Sequence, residues 1–225
     1  MIQKIVCFFC LLIVLIACKK QVQAYDDSQV FRYNEKDNIS TLDPAFAKNE
    51  PITWATHQLF NGLVAFDDNL NVLPSIAKKW DISKNNTLYD FTLRKDVFFH
   101  KNAVFGKDST RMVTAHDFEY SLKRLIDPKV ASSGRWVMQN VKSMNALNDS
   151  VFRIELHQSF PPFLGLLSMQ YCSVVPKEAV AFYGTDFRSN PVGTGPFQFK
   201  LWVENTKLVL RKNPLYFEKD KEGKQ

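Results

Sequence analysis

The chain has 225 residues, a formal net charge of +6, and 19 Phe, 7 Tyr and 4 Trp residues. This aromatic content excludes a wholly disordered chain, and the length suffices for one large domain or two small ones with a hydrophobic interior. Basic and acidic residues alternate between residues 67 and 129 without forming a patch of one sign, so the positive charge does not indicate a nucleic-acid partner.

The N-terminus has the pattern of a secretory signal. Lys4 supplies a positive charge, residues 5–17 are almost wholly apolar, and small Ala17 precedes Cys18. An apolar run of 13 residues is shorter than the ~20 residues that cross a bilayer as a helix. The run therefore favours a cleaved signal over a permanent span.

The run LIAC that ends at Cys18 resembles a bacterial lipobox, in which the cysteine is acylated and becomes the new N-terminus. We therefore predict a lipoprotein signal peptide over residues 1–17, lipid attachment at Cys18, and a polar tether over residues 18–29. An ordinary secretory signal, cut after Ala24 with Cys18 discarded, is the alternative.

The remaining cysteines do not indicate a metal or redox site. Cys7 and Cys10 have CxxC spacing, but both lie inside the apolar signal without further ligands. Once the signal is removed and Cys18 is acylated, Cys172 is the only unmodified thiol. No internal disulfide is expected in the mature protein, so its stability has to come from a hydrophobic core.

Ordered structure is predicted to begin near Val30, where apolar residues alternate with polar ones in VFRYN and indicate a first strand. The Asp43-Pro44 pair predicts a turn. From Pro51, apolar residues at helical spacing indicate a helix that ends before Gly62. LVAF, followed by the polar turn DDNLN, and LYDFTL, with its alternating apolar residues, are predicted to be strands.

The second half of the chain mixes both element types. Thr114 and Asp117 form the pattern of a capping box, and the helix that follows is predicted to stop at Asp127-Pro128. VFRIEL alternates as a strand. PPFLGLLS and PKEAVAFY each begin with a proline that favours a helix start, and FQFKLWV and KLVLRKN are predicted to form a hairpin. The fold class is therefore α/β or α+β.

The sequence lacks the motifs of common catalytic and metal sites. It contains no G-x-S-x-G nucleophile elbow, and its four histidines do not have the spacing of a local zinc site. The run from Gly193 to Gly195 lacks the other residues of a phosphate-binding loop, and its expected role is a tight turn. We predict no enzymatic activity, no metal site and no cofactor.

Eight segments, in order, resemble the bacterial extracellular solute-binding proteins of family 5, the peptide and nickel class, which deliver ligands to ABC transporters. They are LDP, LFNGLVAFDDNLNVLPSIAKKW, YDFTLRKDVFFH, VTAHDFEYSLKRLIDP, FRIELHQSFPPFLGLLS, VVPKEAV, NPVGTGPFQF and LRKNPLYF. The resemblance covers residues 30–217. It implies a mixed α/β fold of the periplasmic-binding-protein class II, with two lobes that close around the ligand.

The resemblance also implies a division of the chain. Residues 30–60 and 150–225 are expected to belong to the ligand-contacting first lobe, and residues 61–149 to an accessory domain packed on it. The second lobe is expected to be missing from this chain.

For the binding site, the resemblance points to the segment after Leu-Asp-Pro, which supplies main-chain contacts to an extended ligand in peptide-binding relatives. Here that segment is Lys48, Asn49 and Glu50. The alternative is that these residues form only a polar lead-in to the helix at Pro51. A structural role is expected for the residues that match the family's most recognisable motifs: Asp43, Pro44, Asn190, Pro191, Gly193, Gly195 and Pro196.

The implied function is that of a lipid-anchored binding protein at the cell envelope, on the periplasmic side or at the cell surface. It is expected to capture oligopeptides or dipeptides outside the inner membrane and deliver them to the permease subunits of an ABC importer. Two alternatives remain open on the same fold: a binder of a non-peptide ligand such as chelated nickel, and a surface or sensing lipoprotein.

Overall fold

The computed structural model describes residues 30–220 and 222–223. The predicted signal peptide, Cys7, Cys10, the lipid-attachment residue Cys18 and the tether lie outside these residues. In the described part of the chain, no helix is both long enough and apolar enough to cross a membrane.

The predicted first strand in VFRYN is wrong, because residues 30–36 contain neither a strand nor a helix. Phe31 and Tyr33 are 90% and 59% exposed. Alternation of apolar and polar residues indicates a strand only when the apolar side chains are buried on one face. The side chains of Phe31 and Tyr33 are exposed, so the pattern does not indicate a strand here.

From Asp37 onward the chain has the mixed α/β fold that was predicted. The α-helices are Glu50–Leu59 (α1), Ala115–Ile126 (α2), Phe163–Leu166 (α3) and Lys177–Tyr183 (α4). Short 3-10 helices span Pro44–Phe46, Ala103–Asp108, Arg135–Met138, Gln170–Cys172 and Gly184–Ser189. The strands are Val64–Phe66 (β1), Val72–Pro74 (β2), Ala77–Ile82 (β3), Leu88–Leu93 (β4), Val141–Asn148 (β5), Val151–Leu156 (β6), Phe197–Val203 (β7) and Lys207–Lys212 (β8).

All of the strand pairs in the described residues are antiparallel. β1 pairs with β2, β7 pairs with β8 as the predicted hairpin, and a four-stranded sheet has the order β3-β4-β6-β5. In that sheet, Phe91 of β4 lies opposite Phe152 of β6, and Tyr89 lies opposite Ile154. All four side chains are buried, so the register places one apolar face of the sheet against the core.

Helix α2 contacts this apolar face. The ring of Phe118 lies 6.2 Å from the ring of Phe152, centroid to centroid, and Leu122 is fully buried. The capping box predicted at the start of α2 is present, with the Thr114 amide donating to the Asp117 carboxylate at 2.9 Å. The helix ends at Ile126, immediately before the predicted Asp-Pro stop.

The four-stranded sheet crosses the predicted domain boundary between residues 149 and 150. β5 and β6 are neighbouring strands of one sheet, and this boundary separates them. The division into a ligand-contacting lobe and an accessory domain stays a prediction.

The segment from Gly193 to Gly195 packs directly against the C-terminal end of α1. A Cβ atom on Gly193 would lie 2.0 Å from the Leu59 carbonyl oxygen, and one on Gly195 would lie 2.5 Å from the Gln58 carbonyl oxygen. Neither glycine has a positive φ. Glycine is therefore required for the close approach of two backbones, and not for a left-handed turn conformation.

We expect Gly193→Ala to lower the free energy of unfolding by about 3 kcal/mol or more, because backbone atoms have to move to admit the methyl group. Gly165→Ala is the matched control, since its added Cβ would meet only the end of the Phe66 ring, at 3.1 Å. Urea denaturation measures both changes. Equal stability of the two variants would contradict the close-approach argument.

Candidate functional site

The candidate ligand-contacting segment, Lys48–Glu50, follows a short 3-10 helix. The Asp43 side chain caps this helix by accepting a hydrogen bond from the Ala45 amide at 3.0 Å. At its end, the Lys48 amide donates to the Phe46 carbonyl at 2.7 Å. The backbone is thus held by local hydrogen bonds up to Lys48.

The side chains of Asn49 and Glu50 support the start of α1. Asn49 is the N-cap residue, with an extended backbone (φ −138°, ψ 166°) and a side-chain oxygen that accepts from the Ile52 amide at 3.3 Å. Glu50 places a negative charge in the first turn, where the helix dipole favours it. The side chains of Asn49 and Glu50 therefore act as a polar lead-in to the helix, which was the alternative to ligand contact.

The main chain of the same segment is available for a ligand. Lys48, Asn49 and Glu50 are all exposed. Within residues 30–220, the Lys48 carbonyl and the Asn49 and Glu50 amides have no hydrogen-bond partner. Because Asn49 is extended, the Lys48 carbonyl and the Glu50 amide face one edge of the backbone and can bond to a second extended chain, as a sheet edge does.

A buried ion pair holds the chain in front of this segment. The Arg124 guanidinium, from the last turn of α2, donates to both Asp43 carboxylate oxygens, at 2.9 Å for one of them. The two side chains are only 10% and 5% exposed. Burial alone would lower the pKa of Arg124, but its hydrogen bonds and charge interaction with Asp43 reverse this and raise the pKa.

The residues predicted to be structural bracket the candidate segment. The Arg188 carbonyl, two residues before Asn190, accepts a hydrogen bond from the Leu42 amide at 2.8 Å. Further along, the Gly195 amide donates to the Leu59 carbonyl at 2.9 Å. One stretch of chain therefore contacts both the residue before Asp43 and the last residue of α1.

His100 lies behind the glycine segment and was not identified from the sequence. Its Nδ1 accepts from the Gly193 amide at 3.3 Å, and its Nε2 lies 3.0 Å from the Gly195 carbonyl. The ring is 3% exposed. Burial lowers the pKa of His100 to about 4, opposed by the hydrogen bond to Gly195, so the neutral ring bridges the two glycines.

Arg111 is a second structural residue that the sequence did not reveal. Its guanidinium donates to both Asp117 and Glu178, with N–O distances between 2.7 and 2.8 Å, and lies 5.0 Å from the centre of the Phe99 ring. It joins the start of α2 to α4. Burial alone would lower the pKa of Arg111, but the hydrogen bonds to the Asp117 and Glu178 carboxylates reverse this and raise it.

Other features of the described residues do not form a second candidate site. Two shallow depressions of about 500 and 530 Å³ have Glu218 and Lys219 in their walls, and neither borders Lys48–Glu50. In the part of the chain that the structure describes, no group of three His, Cys, Asp or Glu side chains is placed to hold a metal ion. Cys172 is a buried free thiol whose pKa is raised to about 12 by burial.

Residues 71–224 match the family model described as bacterial extracellular solute-binding proteins, family 5 Middle. Among curated proteins, the periplasmic oligopeptide-binding protein OppA of Salmonella typhimurium is 32% identical over 214 residues. That alignment covers 87% of this chain and 38% of OppA.

Two solved structures show the same fold as this chain. The periplasmic binding protein DppA of Helicobacter pylori, in complex with the peptide STSA, has a TM-score of 0.73 and 31% identity, covering 80% of this chain and 38% of DppA. NikZ of Campylobacter jejuni, in complex with Ni(L-His), has a TM-score of 0.70 and 31% identity, covering 80% of this chain and 35% of NikZ. The chain thus spans less than two fifths of the length of these relatives.

We expect Asp43→Asn to lower the free energy of unfolding by about 3 kcal/mol, because the buried Arg124 charge loses its counter-charge. Glu204→Gln is the control, since it breaks the ion pair with Arg188, whose side chains are 47% and 51% exposed. Such an exposed pair contributes less than about 1 kcal/mol. Chemical denaturation of both variants measures the difference, and a similar loss in both would refute a special role for the Asp43 pair.

We expect the stability of the protein to fall as the pH drops from 6.5 to 4 because of His100. Its pKa is about 4 in the folded chain and 6.5 in its ordinary state, so only the unfolded chain takes up this proton in that window. Above pH 6.5, neutral His100 makes its full contribution to the free energy of unfolding. Below that pH the free energy of unfolding falls by about 1.4 kcal/mol per pH unit.

His100→Gln should remove this part of the pH dependence, whereas His157→Gln, at an exposed position, should keep it. Denaturant unfolding at several pH values between 4.5 and 7 measures the slope. An unchanged slope in His100→Gln would show that another group is responsible.

Proposed function

Because the chain belongs to family 5 of the bacterial extracellular solute-binding proteins, we propose that it captures oligopeptides or dipeptides outside the inner membrane. We further propose that it delivers them to the permease of an ABC importer and is held at the membrane by a lipid on Cys18. The lipid attachment rests on the lipobox-like sequence that ends at this cysteine.

The observation that carries the proposal is the exposed main-chain segment at Lys48–Glu50. Around the extended residue Asn49 it offers one free carbonyl and two free amides, and hydrogen bonds hold the chain on both sides. An extended peptide has an amide and a carbonyl that can bond to the Lys48 carbonyl and the Glu50 amide, which lie on one edge of the extended Asn49, and it can thus join this edge as an added strand. The Asn49 amide faces the opposite edge. The similarity to DppA, solved with a bound peptide, supports this ligand class.

Recognition through the main chain accounts for tolerance of different peptide sequences. The hydrogen bonds are made to groups that every peptide carries, so they do not depend on ligand side chains. The frame that holds the segment, from the Asp43–Arg124 pair to the contact between Gly195 and Leu59, is buried and is therefore already in place before the ligand arrives.

The similarity to NikZ, at the same 31% identity as to DppA, supports a second candidate function, the capture of chelated nickel on the same fold. A surface or sensing role is the third, in which a ligand is bound but not transported. Uptake measurements separate the three functions.

We expect deletion of the gene to reduce the uptake of labelled dipeptides and tripeptides by the cells, and reintroduction of the unchanged gene to restore it. Unchanged peptide uptake with reduced nickel uptake would contradict the peptide function and support the nickel function. Peptide binding by the purified protein with no change in either uptake would support a sensing role.

The peptide affinities of variants at position 50 test the site itself. Glu50→Pro removes the main-chain donor, and the first turn of a helix and the extended Asn49 before it both accept proline. It should weaken peptide affinity about three- to tenfold, the value of one hydrogen bond. Glu50→Ala removes only the side chain and should leave affinity within about twofold, as expected for an exposed group. Equal affinities of the two variants would show that the Glu50 amide does not bind the ligand.

A further inference from the structure

Thr53, in the first turn of α1, holds the backbone on both sides of the free Lys48 carbonyl. The Thr53 hydroxyl donates to the Ala47 carbonyl at 3.3 Å. The Thr53 amide donates to the Asn49 carbonyl at 3.0 Å. The Lys48 carbonyl lies between these two acceptors in the chain and has no partner among the described residues. One half-buried helix residue therefore holds the peptide groups before and after the one that is free for a ligand.

The hydroxyl bond of Thr53 leaves the helix. A threonine hydroxyl in a helix commonly bonds to a carbonyl three or four residues earlier in that helix. Thr56 does this, with the Ile52 carbonyl at 2.7 Å and the Thr53 carbonyl at 3.2 Å. The Thr53 hydroxyl instead bonds to a carbonyl six residues earlier, in front of α1. It thus ties the helix to the chain that enters the candidate segment.

This hydroxyl bond completes the support of one peptide plane. The Ala47 carbonyl and the Lys48 amide belong to the same planar group and point in opposite directions. The amide donates to the Phe46 carbonyl at 2.7 Å, in a tight turn at Ala47 with φ −72° and ψ 61°. The Ala47 carbonyl has Thr53 as its one partner within residues 30–220. Without the hydroxyl, this side of the plane loses its support.

The amide bond of Thr53 orients the next peptide plane, which carries the Glu50 amide. Asn49 is extended, so its own carbonyl faces one edge of the backbone, while the Lys48 carbonyl and the Glu50 amide face the other. The first edge is bonded to α1 through the Thr53 amide. The second edge points away from that bond, and it carries the two groups proposed to receive the peptide.

We propose that Thr53 is a positioning residue that holds the Lys48 carbonyl and the Glu50 amide in the orientation that a bound peptide requires. This inference rests on the proposed peptide-binding function. Thr53 acts through the Ala47 and Asn49 carbonyls, and a segment that is held before binding loses less freedom when the ligand binds. Loss of the hydroxyl should therefore weaken peptide binding, although the free carbonyl and amide are still present.

Isothermal titration of the protein purified from cells that express its gene tests this proposal. The probes are Ala-Ala, Ala-Ala-Ala and Ala-Ala-Ala-Ala. Thr53→Val replaces the hydroxyl by a methyl group, keeps the amide, and should weaken peptide affinity about three- to tenfold. Thr53→Ala, with a better helix former, should show the same loss. Thr53→Ser keeps the hydroxyl and should keep the affinity within about twofold of that of the unchanged protein.

Thr56→Val is the matched control, because it removes a hydroxyl that bonds only within α1. It should leave peptide affinity within about twofold. Unchanged affinity in Thr53→Val and Thr53→Ala would overturn the inference and leave the peptide function standing, as would an equal loss in Thr56→Val or in Thr53→Ser. Failure of all three peptides to bind the unchanged protein would overturn both.

Discussion

The site depends on the close contact between the glycine segment and the end of α1. Gly193 and Gly195 bring one backbone against the Leu59 and Gln58 carbonyls, where no Cβ atom fits. The same segment leads into β7 and is bridged from behind by the neutral His100 ring. This contact fixes the C-terminal end of α1, and a rigid helix passes that constraint to its N-terminal end, where the candidate segment lies.

The other fixed point is electrostatic. Asp43 and Arg124 form a buried pair in which each charge satisfies the other, so removal of either leaves an uncompensated charge in the interior. Between these two fixed points, the Lys48 carbonyl and the Asn49 and Glu50 amides have no partner among the described residues. Rigid flanks with unused donors and acceptors suit the binding of an extended chain, because little ordering has to accompany association.

The sequence predicts the elements whose signals are local. The capping box at Thr114 and the alternating strands β4 and β6 are found as predicted. β3 and β5 were not predicted, because they are the outer strands of their sheet and their exposed polar residues mask the alternation. At the site, the glycine motif is recognisable in the sequence. Its close contact with the backbone at Leu59 is not, because the two segments are far apart in the chain. The pairing of Asp43 with Arg124, 81 residues away, is equally invisible to local patterns.

Amide hydrogen exchange at Asn49 and Glu50 tests the central claim, that the free main-chain groups of this segment receive the ligand, most directly. Without ligand, both amides should exchange rapidly, because they are exposed and lack an acceptor among the described residues. Saturation with a bound peptide should slow exchange at Glu50, whose amide shares an edge with the Lys48 carbonyl, while the Gly195 amide, already bonded to Leu59, stays protected throughout. Unchanged exchange at Glu50 in a peptide-saturated protein would contradict the account.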